Sequence, residues 1–410
     1  MLSSFAVISI IAMMVGFSLV ALPAVIAAKT TIGVGTNPDA VAVNPQNGRV
    51  YVVDYTDSNV TIIDGSKNRP LVNITVGGEN GDEPDAIAVN PNTGAVYVAQ
   101  YEDNTVTVID GSTYAQIKNI TVGNGPDGIA VNPSNGMVYV ADNQDNNFTV
   151  INGMTNKALK NFTVGDAPAA VAVDPTTGTV YIANYNDSTV SVIDGTTDKV
   201  LVNVTVGRDP DAVAVNPNTG DVYVANERDN SLSIISGSAV KGYEVIGTLL
   251  VGREPDAVAV NPNTGTVYVA NDRDNTVSII NGTTNTEMEN VTVGDGPDGI
   301  AINPNTGTVY VANYNDSTIS LIAGPSNSST SVSTTSTSST SASTASSATS
   351  VATTSSSSSS STGGVPEFPT QLGSAVAVTG VIVVAYMFAR RATPRRSVTT
   401  MPAAATLPDS

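Results

Sequence analysis

The chain has 410 residues, a formal charge of −19, and no Cys, His or Trp. Without Cys there is neither a disulfide framework nor thiol chemistry, and without His the commonest metal ligand and general base are missing. The acidic balance excludes a nucleic-acid partner, whose phosphates require Lys and Arg.

Residues 1–28 are apolar from Phe5 to Leu22 and end in small residues around Ala27 and Ala28. This pattern predicts a secretory signal peptide. An uncleaved N-terminal anchor is the alternative, and either one exports the rest of the chain.

From 30 to 324 one phrase recurs seven times, written most fully at 255–271 as P-D-A-V-A-V-N-P-N-T-G-T-V-Y-V-A-N. Its leading prolines are Pro38, Pro84, Pro126, Pro168, Pro210, Pro255 and Pro297, spaced by 46, 42, 42, 42, 45 and 42 residues. A period near 42 with four short β-type runs per unit is the pattern of a propeller blade. In the unit from Pro210, strands are expected at 211–216, 221–226 and 231–235, with a fourth ending near Gly252. Asn216-Pro217-Asn218-Thr219-Gly220 is a tight turn, with Pro early and Gly supplying the positive φ. The seventh copy stops at Gly324 without a fourth strand, and Thr30-Thr31-Ile32-Gly33-Val34-Gly35 matches the missing phrase. The expected fold is therefore an all-β, seven-bladed propeller closed by its N-terminal strand.

Up-and-down connectivity puts the loop before strand one and the loop between strands two and three on one face. The N-P-N-T-G turns lie on the other. The first face is rich in acids. An inner ring of Asp39, Asp85, Asp127, Asp211, Asp256 and Asp298, broken only by Ala169, offers the oxygens that Ca²⁺ prefers. The plainer reading is that each Asp caps its turn. No D-x-D-x-D-G loop is present, and no cofactor is required. Further out, Tyr314, Tyr55 and Tyr101 on neighbouring blades form an expected crescent beside Asp316, Asp57 and Asp103. Aromatic faces next to carboxylates suit a glycan or a peptide. Tyr185 occupies the same place in blade four, whereas blades five and six carry Glu227-Arg228-Asp229 and Asp272-Arg273-Asp274. An insertion, Gly78-Glu79-Asn80-Gly81, falls on this face. The strictly repeated Tyr51 and its equivalents read as packing between blades.

Glycosylation signals occur at Asn59, Asn73, Asn119, Asn147, Asn161, Asn186, Asn203, Asn281, Asn290, Asn315 and Asn327. Asn73, Asn119, Asn161, Asn203 and Asn290 are expected to open the fourth, outermost strand, where glycans would cover an exposed edge.

The runs Tyr51-Val52-Val53-Asp54, Tyr223-Val224-Ala225-Asn226, Tyr268-Val269-Ala270-Asn271 and Tyr310-Val311-Ala312-Asn313, with their equivalents at Tyr97, Tyr139 and Tyr181, resemble the Y-V-T-N motif. That motif marks a family of β-propeller repeats common in archaeal surface-layer-type proteins. The resemblance covers 30–324 with Ala at the Thr position, and implies a cell-surface protein and no reaction.

Residues 325–364 are almost wholly Ser and Thr and form an expected disordered, glycosylated stalk. Val365-Pro366-Glu367-Phe368-Pro369, within 365–371, resembles the PEF-type C-terminal sorting signals of archaea. An apolar run over 372–389 has about the length of one transmembrane helix. The adjoining Arg390, Arg391, Arg395 and Arg396 place the tail, 390–410, in the cytoplasm and the propeller outside. The functional expectation is a membrane-anchored surface interaction or adhesion module for an extracellular glycan or protein. A structural surface-layer component, with other subunits as partners, is the alternative. A carboxylate-based hydrolase or lyase ranks behind both, because no sequence feature singles out a catalytic pair. The chain is therefore expected not to be an enzyme.

Overall fold

The computed structural model describes residues 30–77 and 83–324. The expected signal peptide, stalk, sorting motif, membrane helix and tail lie outside the described residues, as do Asn327 and the insertion at 78–81. Among the described residues no helix is long and apolar enough to cross a membrane.

The described chain forms seven antiparallel four-stranded sheets, each a blade. Blade one comprises Pro38–Val43, Arg49–Asp54, Asn59–Asp64 and Arg69–Thr75, in that order from the axis outward. The seventh sheet is completed by the opening segment. Thr30–Gly33 pairs with Thr318–Ile322, with Thr30 opposite Leu321 and Gly33 opposite Thr318. Val34 N–H extends this ladder to the Ser317 carbonyl (3.2 Å). Such closure leaves no seam between first and last blades.

Alternation of Val, Ile and Ala makes the strands, and stacking decides how much of each is covered. Pro38–Val43 is buried throughout, because each inner strand is sandwiched between neighbouring blades. Close approach is enforced locally: a Cβ on Gly128 would lie 2.3 Å from the Ala169 carbonyl oxygen, and one on Gly299 would lie 2.3 Å from that of Asp39. The fourth strands are mostly exposed.

The turn at Asn216 forms as its sequence dictates. Gly220 N–H donates to the Asn216 carbonyl (2.8 Å), and Gly220 takes a φ of 78°. The Asn216 side-chain oxygen accepts from Asn218 N–H (3.0 Å). Five of the seven strand-two tyrosines tie blades together through their hydroxyls. Tyr51, Tyr97, Tyr139 and Tyr223 each donate at 3.1 Å to a carbonyl of the next blade, at Gly111, Gly153, Gly195 and Gly282. Tyr310 does the same from blade seven to Gly65 of blade one (3.3 Å), so the ring closes by side chain as well as by strand.

One expectation is corrected. Asn73 and its equivalents do not open the fourth strand; that strand starts at Arg69, and Asn73 lies well along it, opposite Thr61. The Arg69-Pro70-Leu71-Val72 stretch continues the ladder because the pairing with strand three shifts register between Ile62 and Ile63. Asn73, Asn119, Asn161, Asn203 and Asn290 are nonetheless all exposed.

Candidate functional site at the acidic mouth

On one face, the residue immediately after strand two is held by the same backbone bond in every blade. Its N–H donates to the carbonyl just before the leading proline. The pairs are Tyr55 to Asn37, Tyr101 to Glu83, Asn143 to Gly125, Tyr185 to Ala167, Glu227 to Asp209, Asp272 to Glu254 and Tyr314 to Gly296, at 2.7–3.3 Å. The backbone thus fixes seven equivalent shoulder positions around the axis. Only the side chain at each one differs.

Where the shoulder is Tyr, it packs and latches. Tyr55 and Tyr314 bring their ring centroids to 6.3 Å, tilted by 51°. The Tyr55 hydroxyl bonds to Glu83, in the loop leading to blade two. Tyr185 donates to Glu227 of blade five (2.5 Å). Tyr101 lies beside Gly125, its Cε2 3.2 Å from where a Cβ there would sit. The structure therefore brings the rings of Tyr55 and Tyr314 together and ties the Tyr55 hydroxyl to Glu83. The outer carboxylates fasten loops: Asp57 accepts from Thr36 N–H and Asp316 from Asp295 N–H, both at 2.8 Å. For Asp103 the corresponding loop lies outside the described residues.

The inner ring is deeply placed. Asp39, Asp85, Asp127, Asp211, Asp256 and Asp298 are all no more than 7% exposed. Asp127 accepts from the Asn143 shoulder amide (2.9 Å). In blades five to seven the shoulders are themselves acidic, and inner and shoulder acids converge. Carboxylate oxygens of Asp211, Glu227 and Asp256 lie within 4.8 Å of one another, as do those of Asp256, Asp272 and Asp298. Asp256 belongs to both groups. Asp211 Oδ1 is buried with no hydrogen-bond partner.

Burial pushes the Asp211 and Asp256 carboxyls well above the usual carboxylate range, reinforced by Glu227 beside Asp211 and Asp298 beside Asp256. Asp85 is raised in the same way, by burial and then by Asp127. The arginines nearby are engaged further out: Arg208 with Asp229 (2.5 Å), Arg253 with Asp274 (2.6 Å), Arg273 with Glu254 (3.0 Å) and Arg228 with Asp209 (3.8 Å). A polar cavity of about 420 Å³ opens between Arg228, Arg253, Arg273 and Glu227.

Glu227 and Asp272 stand in the sequence only as breaks in a tyrosine pattern. Their place in the acidic mouth emerges once repeats are aligned, because they occupy the shoulder next to the inner Asp. Two more buried carboxyls, Asp54 and Asp142, end strand two, where blades four to seven carry Asn184, Asn226, Asn271 and Asn313. Burial raises both to about 7, opposed by the hydroxyls of Thr61 and Thr149 that donate to them.

The fold and site thus define a seven-bladed β-propeller with a carboxylate-lined axial mouth. The family model described as lactonase, 7-bladed beta-propeller, matches residues 23–122 and 110–206. No curated protein matches the chain. Among solved structures, a chain of Kuenenia stuttgartiensis hydrazine synthase is similar, with a TM-score of 0.63, 20% identity, and coverage of 70% of this chain and 95% of that one. At that identity the likeness speaks for the fold alone. The family match overturns the expectation that the chain is not an enzyme: the propellers it resembles across its first four blades are lactonases.

Proposed function

We propose that the chain is a cell-surface propeller that binds a hydroxyl-rich ligand, a glycan or a sugar-like lactone, at its acidic mouth, and opens the lactone hydrolytically. The observation that carries this reading is the convergence of buried inner and half-buried shoulder carboxyls in blades five to seven. Packing several acids together is costly, and such clusters concentrate at working sites. Carboxylates accept hydrogen bonds from ligand hydroxyls, and the Tyr55–Tyr314 pair supplies an aromatic flank. The lactonase match suggests the reaction: water adds to the lactone carbonyl and the ring C–O bond breaks, leaving a hydroxy acid.

Surface display is supported by the 1–28 segment and by the apolar 372–389 run with its arginines. The exposed sequons on the outer strands are consistent with a glycan-covered rim, and the Tyr-Val-Ala-Asn repeats with a surface-layer-type setting.

The test is a pH-stat screen of the full chain in detergent against sugar lactones, with glycan binding measured in parallel. Turnover should fall at least tenfold in Asp298→Asn and be retained in Asp110→Asn, in a turn on the opposite face. A wild-type chain that neither binds nor hydrolyses any member of the panel would overturn the reading, as would an Asp298→Asn variant of full activity. Shaving intact cells with protease should release the propeller if it is displayed outside.

A further inference from the structure

We propose that the mouth across blades five to seven is a site for one hard divalent cation, held by the triad of Asp211, Glu227 and Asp256, with Asp272 and Asp298 completing a second triad on Asp256 beside it. This rests on the reading of the mouth as the working site, and names what holds it together.

Three features point to a cation rather than to a purely structural cluster. First, the donors are matched to hard metals. The chain has no His or Cys, and every group here offers oxygen, the set that suits Ca²⁺ or Mg²⁺ and not a soft metal. Second, the spacing within each triad is that of a coordination sphere. Each triad holds its oxygens within 4.8 Å, and oxygens around a common Ca²⁺ at about 2.3–2.6 Å lie no more than about 5 Å apart. Third, Asp211 is 3% exposed, and its Oδ1, buried and without a hydrogen-bond partner, belongs to a carboxylate of this cluster. A buried carboxylate oxygen left without a donor is expensive, and a cation among these five acids removes that cost.

The surroundings fit. The charged groups acting on Asp256 are Asp298, Asp211, Asp272 and Glu227, all acidic. The outer arginines are paired with Asp229, Asp274, Glu254 and Asp209. The Tyr185 hydroxyl donates to Glu227 Oε2 and orients that carboxylate from behind, the outer-layer support usual for metal ligands. Ca²⁺ tolerates irregular geometry and mixed mono- and bidentate carboxylates, whereas Mg²⁺ demands a near-ideal octahedron and keeps its waters. Ca²⁺ is therefore the probe of choice.

The experiment is thermal unfolding of the full chain in detergent, in EDTA and in saturating CaCl₂. A ligand that binds only the folded state raises its melting temperature, and at about one hundred times Kd the rise should be roughly 5 °C. The shift should vanish in Asp256→Asn, which serves both triads, shrink in Glu227→Gln, and persist in Asp110→Asn, in a turn on the opposite face. The neutral isosteres relieve repulsion, so both inner variants should fold in EDTA at least as stably as the parent. A wild type indifferent to Ca²⁺, or an Asp256→Asn variant with an undiminished shift, overturns the site. No Ca²⁺ shift with lactone turnover intact removes the cation and leaves the proposed function standing. A Ca²⁺ shift that is lost in Asp256→Asn, without turnover in the wild type, does the reverse.

Discussion

The shoulders of blades one and two and those of blades five and six share one backbone and differ in chemistry. Tyr55 and Glu227 make the same N–H bond to the carbonyl before their leading proline, at 2.9 Å in both cases. Tyr55 turns this fixed point into an aromatic latch with Tyr314 and Glu83. Glu227 and Asp272 turn it into the outer half of two carboxylate triads. The repeat supplies geometry sevenfold, and single side-chain changes at an equivalent point decide whether a blade contributes scaffold or site. Function is therefore to be sought where the repeat departs from itself.

The most disruptive way to break the comparison is to open the ring on which both halves depend. Deleting residues 30–35 removes the strand paired with Thr318–Ile322, buried Ile32 with it, and uncovers a blade edge. It should cost several kcal/mol and broaden the thermal transition. A deletion variant that melts like the parent would show that closure contributes little.

A smaller effect, of opposite sign, is expected at the end of strand two. Asp54 and Asp142 are held near 7 against an ordinary value of 3.8. The folded state therefore keeps their protons between about pH 4 and pH 7 while the unfolded chain has released them. The stability of each carboxyl is intact below that window and is lost as pH rises through about 7. Asp54→Asn, the residue of blades four to seven, should stabilise the protein by about 2 kcal/mol at pH 8 and hardly at all at pH 4. Urea midpoints at the two pH values check this, and an equal gain at both would remove the assigned cause.

Smaller still is the difference between two inter-blade tyrosines. The Tyr310 hydroxyl reaches the Gly65 carbonyl across the closure, whereas the Tyr268 hydroxyl is buried without a partner. Tyr310→Phe should cost about 1 kcal/mol and Tyr268→Phe nothing, or a slight gain. Equal losses in the two variants would mean that the bond does not carry the effect. Tyr55→Phe should be milder than Tyr310→Phe, since Tyr55 is only half-buried.

Most of the scaffold was legible in the sequence, for a physical reason. A blade cannot bury its faces alone, so sevenfold repetition with a missing last strand and a matching first one leaves a single closed arrangement. Connectivity then fixes which loops share a face. The triads were harder to see. The inner Asp residues share a position, but Glu227 and Asp272 come one residue after Asn226 and Asn271. That they sit within 4.8 Å of the inner ring depends on blade spacing, which no local pattern encodes. Asp54 and Asp142 look like surface acids until the repeats are superposed and Asn appears in their place. The position of Asn73 was misjudged because a register shift extends the fourth strand toward its start.

Blades five to seven concentrate acids at one mouth at a cost to the stability of the unliganded fold, for the sake of what binds there. The most direct measurement is the urea unfolding of Asp211→Asn against wild type, in EDTA at neutral pH. Removing a buried carboxylate whose Oδ1 has no partner and whose strongest neighbour is Glu227 should raise the midpoint. A lowered midpoint would mean that Asp211 is there to hold the fold together, and would contradict the account.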